Sequence, residues 1–285
     1  MGNIWKTGIL MAVLMVFMVL IGKLIGGNQG AIFAFGIMFV INFVSYWFSD
    51  KIVLAMYGGK EVTEREASEL YNIVRGLSQR MALPMPKVYI IPTPSANAFA
   101  TGRDYKHSAV AVTQGNLDIL NRDELEAVMA HEMTHIKNRD TLISTIVAAM
   151  AGAITLLARI AGFSAMFGGS RDDNRGGGGL AILIYIFAPL AALFIQLAIS
   201  RSREFSADEG GARVTGHPMS LASALNKLVA ASKQTPLQAE PATAHMFVVS
   251  PLSGGGFFEM FSTHPPIKKR IMELEKLEKK IRTGK

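Results

Sequence analysis

"AVMAHEMTHIKNRDTLIST", residues 127–145, sets two histidines four positions apart around a glutamate and then runs, within a handful of residues, into an uncharged stretch. Its reading decides the fold, because a polar constellation that opens straight into an apolar run belongs at the surface of a bilayer. Positions i and i+4 of a helix lie on one face, so His131 and His135 can present ring nitrogens to a single point, about 2 Å from a bound ion. Glu132 projects about 100° away, close enough to hold a water without itself ligating. This is the HExxH arrangement, whose mechanical meaning is two metal ligands plus a general base. The plain alternative is a solvated histidine pair on a helix. Asn121 is placed to cap the helix "RDELEAVMAHEMTHIKN", with acids in its first turn where the dipole favours them.

Outward from this helix the totals point to lipid. Half of the 285 residues are hydrophobic, 18% are charged, and the mean hydropathy is +0.29, too apolar for an ordinary soluble domain of this size. The absence of cysteine removes disulfides, thiolate nucleophiles and Cys-based metal sites, and fits a reducing compartment. The net charge of +7 is concentrated at the C-terminus, where Pro266 to Lys285 hold eight Lys or Arg against three Glu. Beside a membrane such a tail reads as attraction to anionic headgroups or as cytoplasmic retention. No aromatic residue interleaves those charges, so nucleic acid is not an expected partner.

Four uncharged runs stand out: Thr7 to Gly22, Leu24 to Ser49, Thr141 to Ala158 and Gly176 to Ser200. The last three can each cross a hydrocarbon core of about 30 Å at about 1.5 Å per residue. The first is 16 residues long and bracketed by Lys6 and Lys23, whose stems can snorkel to the interfaces. A cleaved signal peptide is its rival reading, but no small-x-small site follows and the next segment is itself apolar. The third run is rich in Ala and other small residues, which suits a buried core helix or a span packed on other spans. The linker "GGSRDDNRGGGG" then separates it from the fourth, making a hairpin. Four crossings put both termini and the segment from Asp50 to Asp140 on one side, and the basic residues near the span ends place that side in the cytoplasm.

The chain therefore divides into two N-terminal spans (1–49), a first hydrophilic part (50–140), a membrane hairpin (141–200) and a second hydrophilic part (201–285). The hydrophilic parts read as compact α+β. "VTEREASELYNIVRGLSQRM" opens with Thr63 three residues before Glu66, a capping-box pattern. "PKVYII", "SANAFATG" and "SAVAVTQG" are candidate strands. In the C-terminal helix, Ile267, Ile271, Leu274, Leu277 and Ile281 form a packing stripe.

A catalytic metal needs a third protein ligand and an open position, and with no Cys that ligand must be His, Asp or Glu. After the fourth run comes "SRSREFSADEGGA", where Glu204 and Asp208 are again i, i+4. Taken alone, Glu204 reads as an ion-pair partner of Arg201 or Arg203. The hairpin, however, returns it to the membrane surface from which the HExxH helix departed.

"HEMTHIKNRD", "SRSREFSAD", "NAFATG" and "STHPP", in this order with spans around them, resemble the HtpX family of bacterial membrane zinc metalloproteases, relatives of the CAAX prenyl proteases. The resemblance covers nearly the whole chain. It implies an α+β membrane protein, mainly helical, with four transmembrane helices and a cytoplasmic gluzincin-type zinc protease domain carrying a small β-sheet. It implies one Zn2+ per chain on His131, His135 and Glu204, Glu132 as catalytic base, and Asp208 behind a ligand histidine. Asn97, Ala98, Phe99, Ala100, Thr101 and Gly102 would form the edge strand on which a substrate peptide adds. His264 would lie near the zinc as an oxyanion stabiliser, although before two prolines it also reads as a turn residue. The implied substrates are unfolded or damaged membrane proteins, met in the inner or plasma membrane under stress, with self-cleavage. The implied partners are polypeptides and the bilayer. His107, His217 and His245 match no motif.

Two other classes compete. A membrane scaffold with a structural metal site would unfold on metal loss. A channel or transporter would place ionisable residues inside the spans, and the four runs carry none. Three N or O ligands with an open position favour zinc over other divalent ions.

Overall fold

A computed structural model of the chain describes residues 2–142, 144, 146, 201–235, 248 and 265–283. The third and fourth apolar runs, the Gly-rich linker between them, His245 and His264 lie outside the described residues, apart from the first few positions of the third run.

The first element, α1 (Gly2–Met56), folds back on itself. Gly27 has φ +61°, a conformation that costs glycine nothing. A methyl built on Gly22 would strike the Gly30 carbonyl and vice versa, and Asn42 Nδ2 donates to Met11 O at 3.4 Å. In a straight helix those two residues would be about 45 Å apart. The two N-terminal apolar runs therefore pack as an antiparallel pair, with small residues at the crossing. Among the described residues, Gly27–Phe48 is the stretch long and apolar enough to cross a membrane, with mean hydropathy 1.9; Met11–Leu20 is a shorter apolar piece. The pair exposes Val13, Val16, Phe33, Phe39 and Phe43, a surface that suits lipid and not water.

Tyr46, Trp47 and Phe48 end this apolar stretch, and beyond them α1 enters the domain. Val53 and Leu54 are buried against Phe99. Arg103 lies over the Trp47 ring at 4.7 Å and donates to Trp47 O at 3.1 Å.

Four short strands form a sheet in the order β1-β2-β4-β3. They are β1 (Lys60–Glu61), β2 (Lys87–Ile91), β3 (Ala98–Asp104) and β4 (His107–Thr113). β2 and β4 run parallel, while β1 pairs with β2 and β3 with β4 antiparallel. The strands expected at "PKVYII", "SANAFATG" and "SAVAVTQG" are β2, β3 and β4, and β3 is the sheet's outer strand. Thr113 ends β4 by accepting from Asn116 N, which starts the short α3 (Gln114–Ile119).

Helix α2 (Ser68–Met81) begins one turn later than the Thr63–Glu66 pattern suggests. Half of the box is made: Glu66 Oε2 accepts from Thr63 N at 2.8 Å, but Thr63 Oγ1 also donates to that oxygen at 2.7 Å, and Glu66 N donates to the Thr63 carbonyl at 3.1 Å. These bonds close the turn before the helix, and Ala67 at φ −142° separates the two.

Helix α4 (Arg122–Asn138) carries the HExxH motif and starts as anticipated, with Asn121 and Glu124 in a reciprocal capping box. It is buried almost all round, because α2, α5 (Arg201–Thr215), α6 (Pro218–Gln234) and the sheet pack about it. Glu124 is anchored from α6 by Lys227 Nζ and Ser223 Oγ, both at 2.7 Å. The C-terminal α7 (Ile267–Thr283) closes the domain through Leu274 and Leu277, whereas Ile281, at the end of the expected stripe, is 38% exposed.

The approach of α5 to α4 is limited by backbone. A Cβ on Gly211 would lie 2.8 Å from His131 N and 3.0 Å from Ala130 C. Gly76 in α2 has nothing within 4 Å of such an atom. Gly211→Val is accordingly expected to lower stability by about 1–3 kcal/mol through overpacking, more than the few tenths gained from helix propensity. Gly76→Ala should raise it by about 0.5–1 kcal/mol. Unfolding midpoints of the detergent-solubilised protein check both, and equal effects at the two sites would contradict the close approach.

Candidate metal centre

His131 and His135 are on one face of α4, as their spacing requires, with ring centroids 4.8 Å apart and planes at 89°. α5 lays Glu204, Asp208 and Gly211 along a stripe facing them, at i, i+4 and i+7. The Nε2 atoms of the two histidines are 3.2 Å apart. Glu204 Oε1 stands 3.5 Å from His135 Nε2, and Glu204 Oε2 stands 3.8 Å from His131 Nε2. Three ligands at about 2.0–2.1 Å in tetrahedral directions would be separated by about 3.4 Å, so this donor set fits a zinc ion. The rings and the carboxylate come from helices whose motifs are 68 residues or more apart in sequence, and α5 arrives from beyond the 141–200 segment.

Asp208 lies behind His131, its Oδ1 3.0 Å from His131 Nδ1. That leaves Nε2 to face the triangle, the arrangement in which an outer carboxylate sets a ligand's tautomer and orientation. Burial and the neighbouring Arg270 charge hold the His131 pKa below its usual value, with the Asp208 hydrogen bond opposing. That favours the neutral imidazole, the form in which a histidine binds a metal. His135 behaves differently: burial pulls its pKa down, but the hydrogen bond to Asp140 and the charges of Glu204 and Glu132 push it up to about 9.

Glu132 is 2% exposed. Burial and the nearby Glu204 raise its pKa to about 7, while His135, the Ala100 backbone N–H that bonds it, and Arg270 restrain the rise. A carboxylate poised near neutrality suits a general base. The bond from Ala100 also ties the base to β3.

The expected substrate edge is placed beside this base. Asn97 is buried, and its carbonyl accepts from Thr113 N at 3.0 Å and from Asn116 Nδ2 at 3.1 Å, which pins the entry to β3. Ala98, Phe99, Ala100 and Thr101 are buried as well, and Ala98 O accepts from Val248 N at 3.2 Å.

Two charged residues that sequence reasoning did not assign belong to this centre. Arg270 of α7 is wholly buried. Its Nε and Nη2 grip both oxygens of Asp208 at 2.8 and 2.6 Å, its Nη1 donates to Val248 O at 3.1 Å and lies 3.7 Å from Glu204 Oε2. The signal for it was present: position 270 falls on the same helical face as Ile267, Leu274 and Leu277, a basic residue within an apolar stripe. The second is Asp140, whose Oδ2 is 3.2 Å from His135 Nδ1.

The sequence profile of Peptidase family M48 matches residues 64–278. A Protease HtpX homolog of Thermodesulfovibrio yellowstonii is 57% identical over 277 residues, covering 96% of this chain and 98% of that protein. Another from Thermococcus kodakarensis is 55% identical over 279 residues, covering 97% and 96%. Among solved structures, the crystal structure of S. mikatae Ste24p is similar with a TM-score of 0.52 and 17% identity, over 96% of this chain and 67% of that one. At that identity the likeness is one of fold.

A metal that takes His135 as a ligand must expel the ring proton, whose pKa the Asp140 hydrogen bond and neighbouring carboxylates raise to about 9. Proton and metal compete below that pH, so zinc affinity should fall about tenfold for each unit of acidification and level off above it. Chelator competition measured from pH 6 to 10 checks this; a flat profile would mean that His135 is not a ligand.

Proposed function

The chain belongs to peptidase family M48 and is a metalloprotease, and on that premise we propose that it is a membrane-anchored zinc endopeptidase that cleaves unfolded or damaged membrane proteins at their cytoplasmic segments. The observation that carries the proposal is the meeting of His131, His135 and Glu204 within 4.8 Å of one another beside a buried glutamate with a pKa of about 7. In this reading those three residues hold one Zn2+ per chain and Asp208 steadies His131.

Zinc, when bound, supplies a Lewis acid that polarises a scissile carbonyl and makes water more acidic. Glu132 accepts the proton of the attacking water at its carboxylate, which the Ala100 N–H holds in place, and hands it to the departing amine nitrogen. Residues 97–102 take the substrate as an added strand. In support, the Ala98 carbonyl already accepts a backbone N–H from Val248, the type of bond such a strand makes. An unfolded segment can adopt that extended form and a folded domain cannot, which selects for damaged substrates. His264 is assigned oxyanion stabilisation because it immediately precedes the buried Pro265 and the helix that brings Arg270 to the centre.

The proposed location is the inner or plasma membrane, with four crossings and with both termini and the metal centre in the cytoplasm. The N-terminal apolar pair and its aromatic end at Tyr46 to Phe48 support it. Since Arg103 of β3 is bonded to Trp47, the substrate edge sits close to the headgroups. Segments emerging from the bilayer reach it first, including those of a second copy of the chain, which accounts for self-cleavage.

Detergent-solubilised wild type should bind about one zinc and cleave an unfolded casein-type substrate. Glu132→Gln should keep the metal and lose about 10²–10⁴-fold in kcat, the usual share of a general base, while His131→Ala should lose both metal and activity. Wild type and Glu132→Gln that are equally metal-loaded and equally inert would turn the site into a structural one.

A further inference from the structure

We propose that Asp140 is a positioning residue for His135, and that Arg203 holds it in place, so that the two ends of the 141–200 segment are clasped at the metal centre. The inference rests on His135 being a ligand, as in the reading above, but assigns roles to two residues that reading does not use.

His131 is steadied by Asp208. His135 needs a corresponding acceptor for its Nδ1–H if its Nε2 is to face the triangle, since the outer hydrogen bond of a ligand histidine selects the tautomer and fixes the ring. The acceptor is Oδ2 of Asp140, a residue only 4% exposed, at 3.2 Å from His135 Nδ1. A continuing helix would carry position 140 well round from His135, because five residues turn the chain by about 500°. The helix does not continue. Arg139, not a glycine, takes φ +60° and ψ +32°, and helical backbone resumes at Asp140 in a new direction. Conformations of this kind in non-glycine residues persist where their surroundings hold them. Here the Arg139 guanidinium lies over the Tyr105 ring at 4.7 Å, and Tyr105 OH donates to Lys137 O at 3.1 Å.

The other carboxylate oxygen of Asp140 faces α5. Arg203 Nε is 3.8 Å from Asp140 Oδ1, and Arg203 immediately precedes Glu204, the third proposed ligand. A second tie runs alongside it, Asn138 Nδ2 to Ser206 Oγ at 3.5 Å. Each ligand histidine thus has its own aspartate, and each aspartate its own arginine from a different helix: His131–Asp208–Arg270 and His135–Asp140–Arg203. The second relay differs in where it sits. Asp140 is the last residue before the 141–200 segment and Arg203 the third after it, so the spacing of that segment's two ends is imposed on His135 and Glu204 together.

The full-length protein in a Glu132→Gln background, which keeps metal binding separate from turnover, is the material for the test. Zinc affinity is read by chelator competition, and ligand geometry by the visible spectrum of the Co(II)-substituted form. Asp140→Ala is expected to bind zinc about 10–100-fold more weakly. Asp140→Asn, whose amide oxygen still accepts from Nδ1–H, should stay within about threefold of the parent and keep its Co(II) bands. Arg203→Gln should fall between them and Arg203→Lys should recover part of the loss. Asp140→Ala with undiminished affinity overturns the proposal, as does an Asp140→Asn protein that folds but binds no better than Asp140→Ala. Should Asp140→Ala fail to accumulate, the Asp140→Asn and Arg203→Gln affinities decide: an unchanged value for Arg203→Gln removes the clasp. His135→Ala separates the two levels of inference. If it binds zinc normally, the metal centre itself is wrong; if it loses zinc while Asp140→Ala keeps it, only the clasp is.

Discussion

Everything at the metal centre depends on how closely α5 lies against α4. Helix axes are ordinarily 8–10 Å apart, with side chains between them. Here the contact at Gly210 and Gly211 is glycine against the Ala130–His131 backbone and the Thr134 side chain, so the helices meet with almost nothing in between. One and two turns N-terminal of that contact, Asp208 and Glu204 are carried over the imidazoles. A larger residue at the contact would move both carboxylates outward together, and donors separated by 3.2 to 3.8 Å would cease to form a triangle that one ion can fill.

Such proximity crowds charge. Glu132, Asp140, Glu204 and Asp208 are all below 9% exposure, and burying four carboxylates without compensation would cost far more than a domain's net stability. Compensation comes from three directions. Arg270 enters from the C-terminal helix and binds Asp208 with two nitrogens, a fork-to-fork pair. Arg203 lies beside Asp140. The surrounding carboxylates raise the His135 pKa to about 9 against its burial, which favours a third positive charge among them. Burial and the Glu204 charge then keep Glu132 near its titration point. The same crowding that brings His131, His135 and Glu204 together shifts the titration of Glu132, the kind of coupling found at functional sites.

The main helix and the sheet were legible because their signals are local. Asn121 and the acids after it mark the start of α4, short β-rich runs mark β2 and β4, and the spacing of His131 and His135 fixes a shared face. Glu204 was legible only in conjunction, since by itself it resembles any solvated glutamate near arginines. Arg270 carried a signal, a cation within an apolar stripe, that was outweighed by the basic character of its neighbours. Asp140 carried none. Its role needs a left-handed residue at Arg139, and arginine gives no indication of that conformation, which only tertiary contacts with Tyr105 impose. The Thr63–Glu66 pair shows the limit of local rules: only the Glu66 half of the capping box forms, and Ala67 breaks the backbone before the helix begins. The two-residue β1 lies below any periodicity that a sequence can display.

The N-terminal hairpin and the edge strand make one mechanical unit. The apolar arm ends in Tyr46, Trp47 and Phe48, residues that favour the interface between headgroups and hydrocarbon. Immediately beyond, Val53 and Leu54 pack on Phe99, Arg103 stacks on Trp47, and Ala100 bonds the Glu132 carboxylate. The position of α1 therefore fixes that of β3, and β3 fixes that of Glu132. A soluble domain tethered by a flexible linker would sample a range of distances from the surface. Here packing through Phe99 and the Arg103–Trp47 contact hold β3 at one position relative to the apolar arm, the rigidity that the proposed capture of an emerging segment would require.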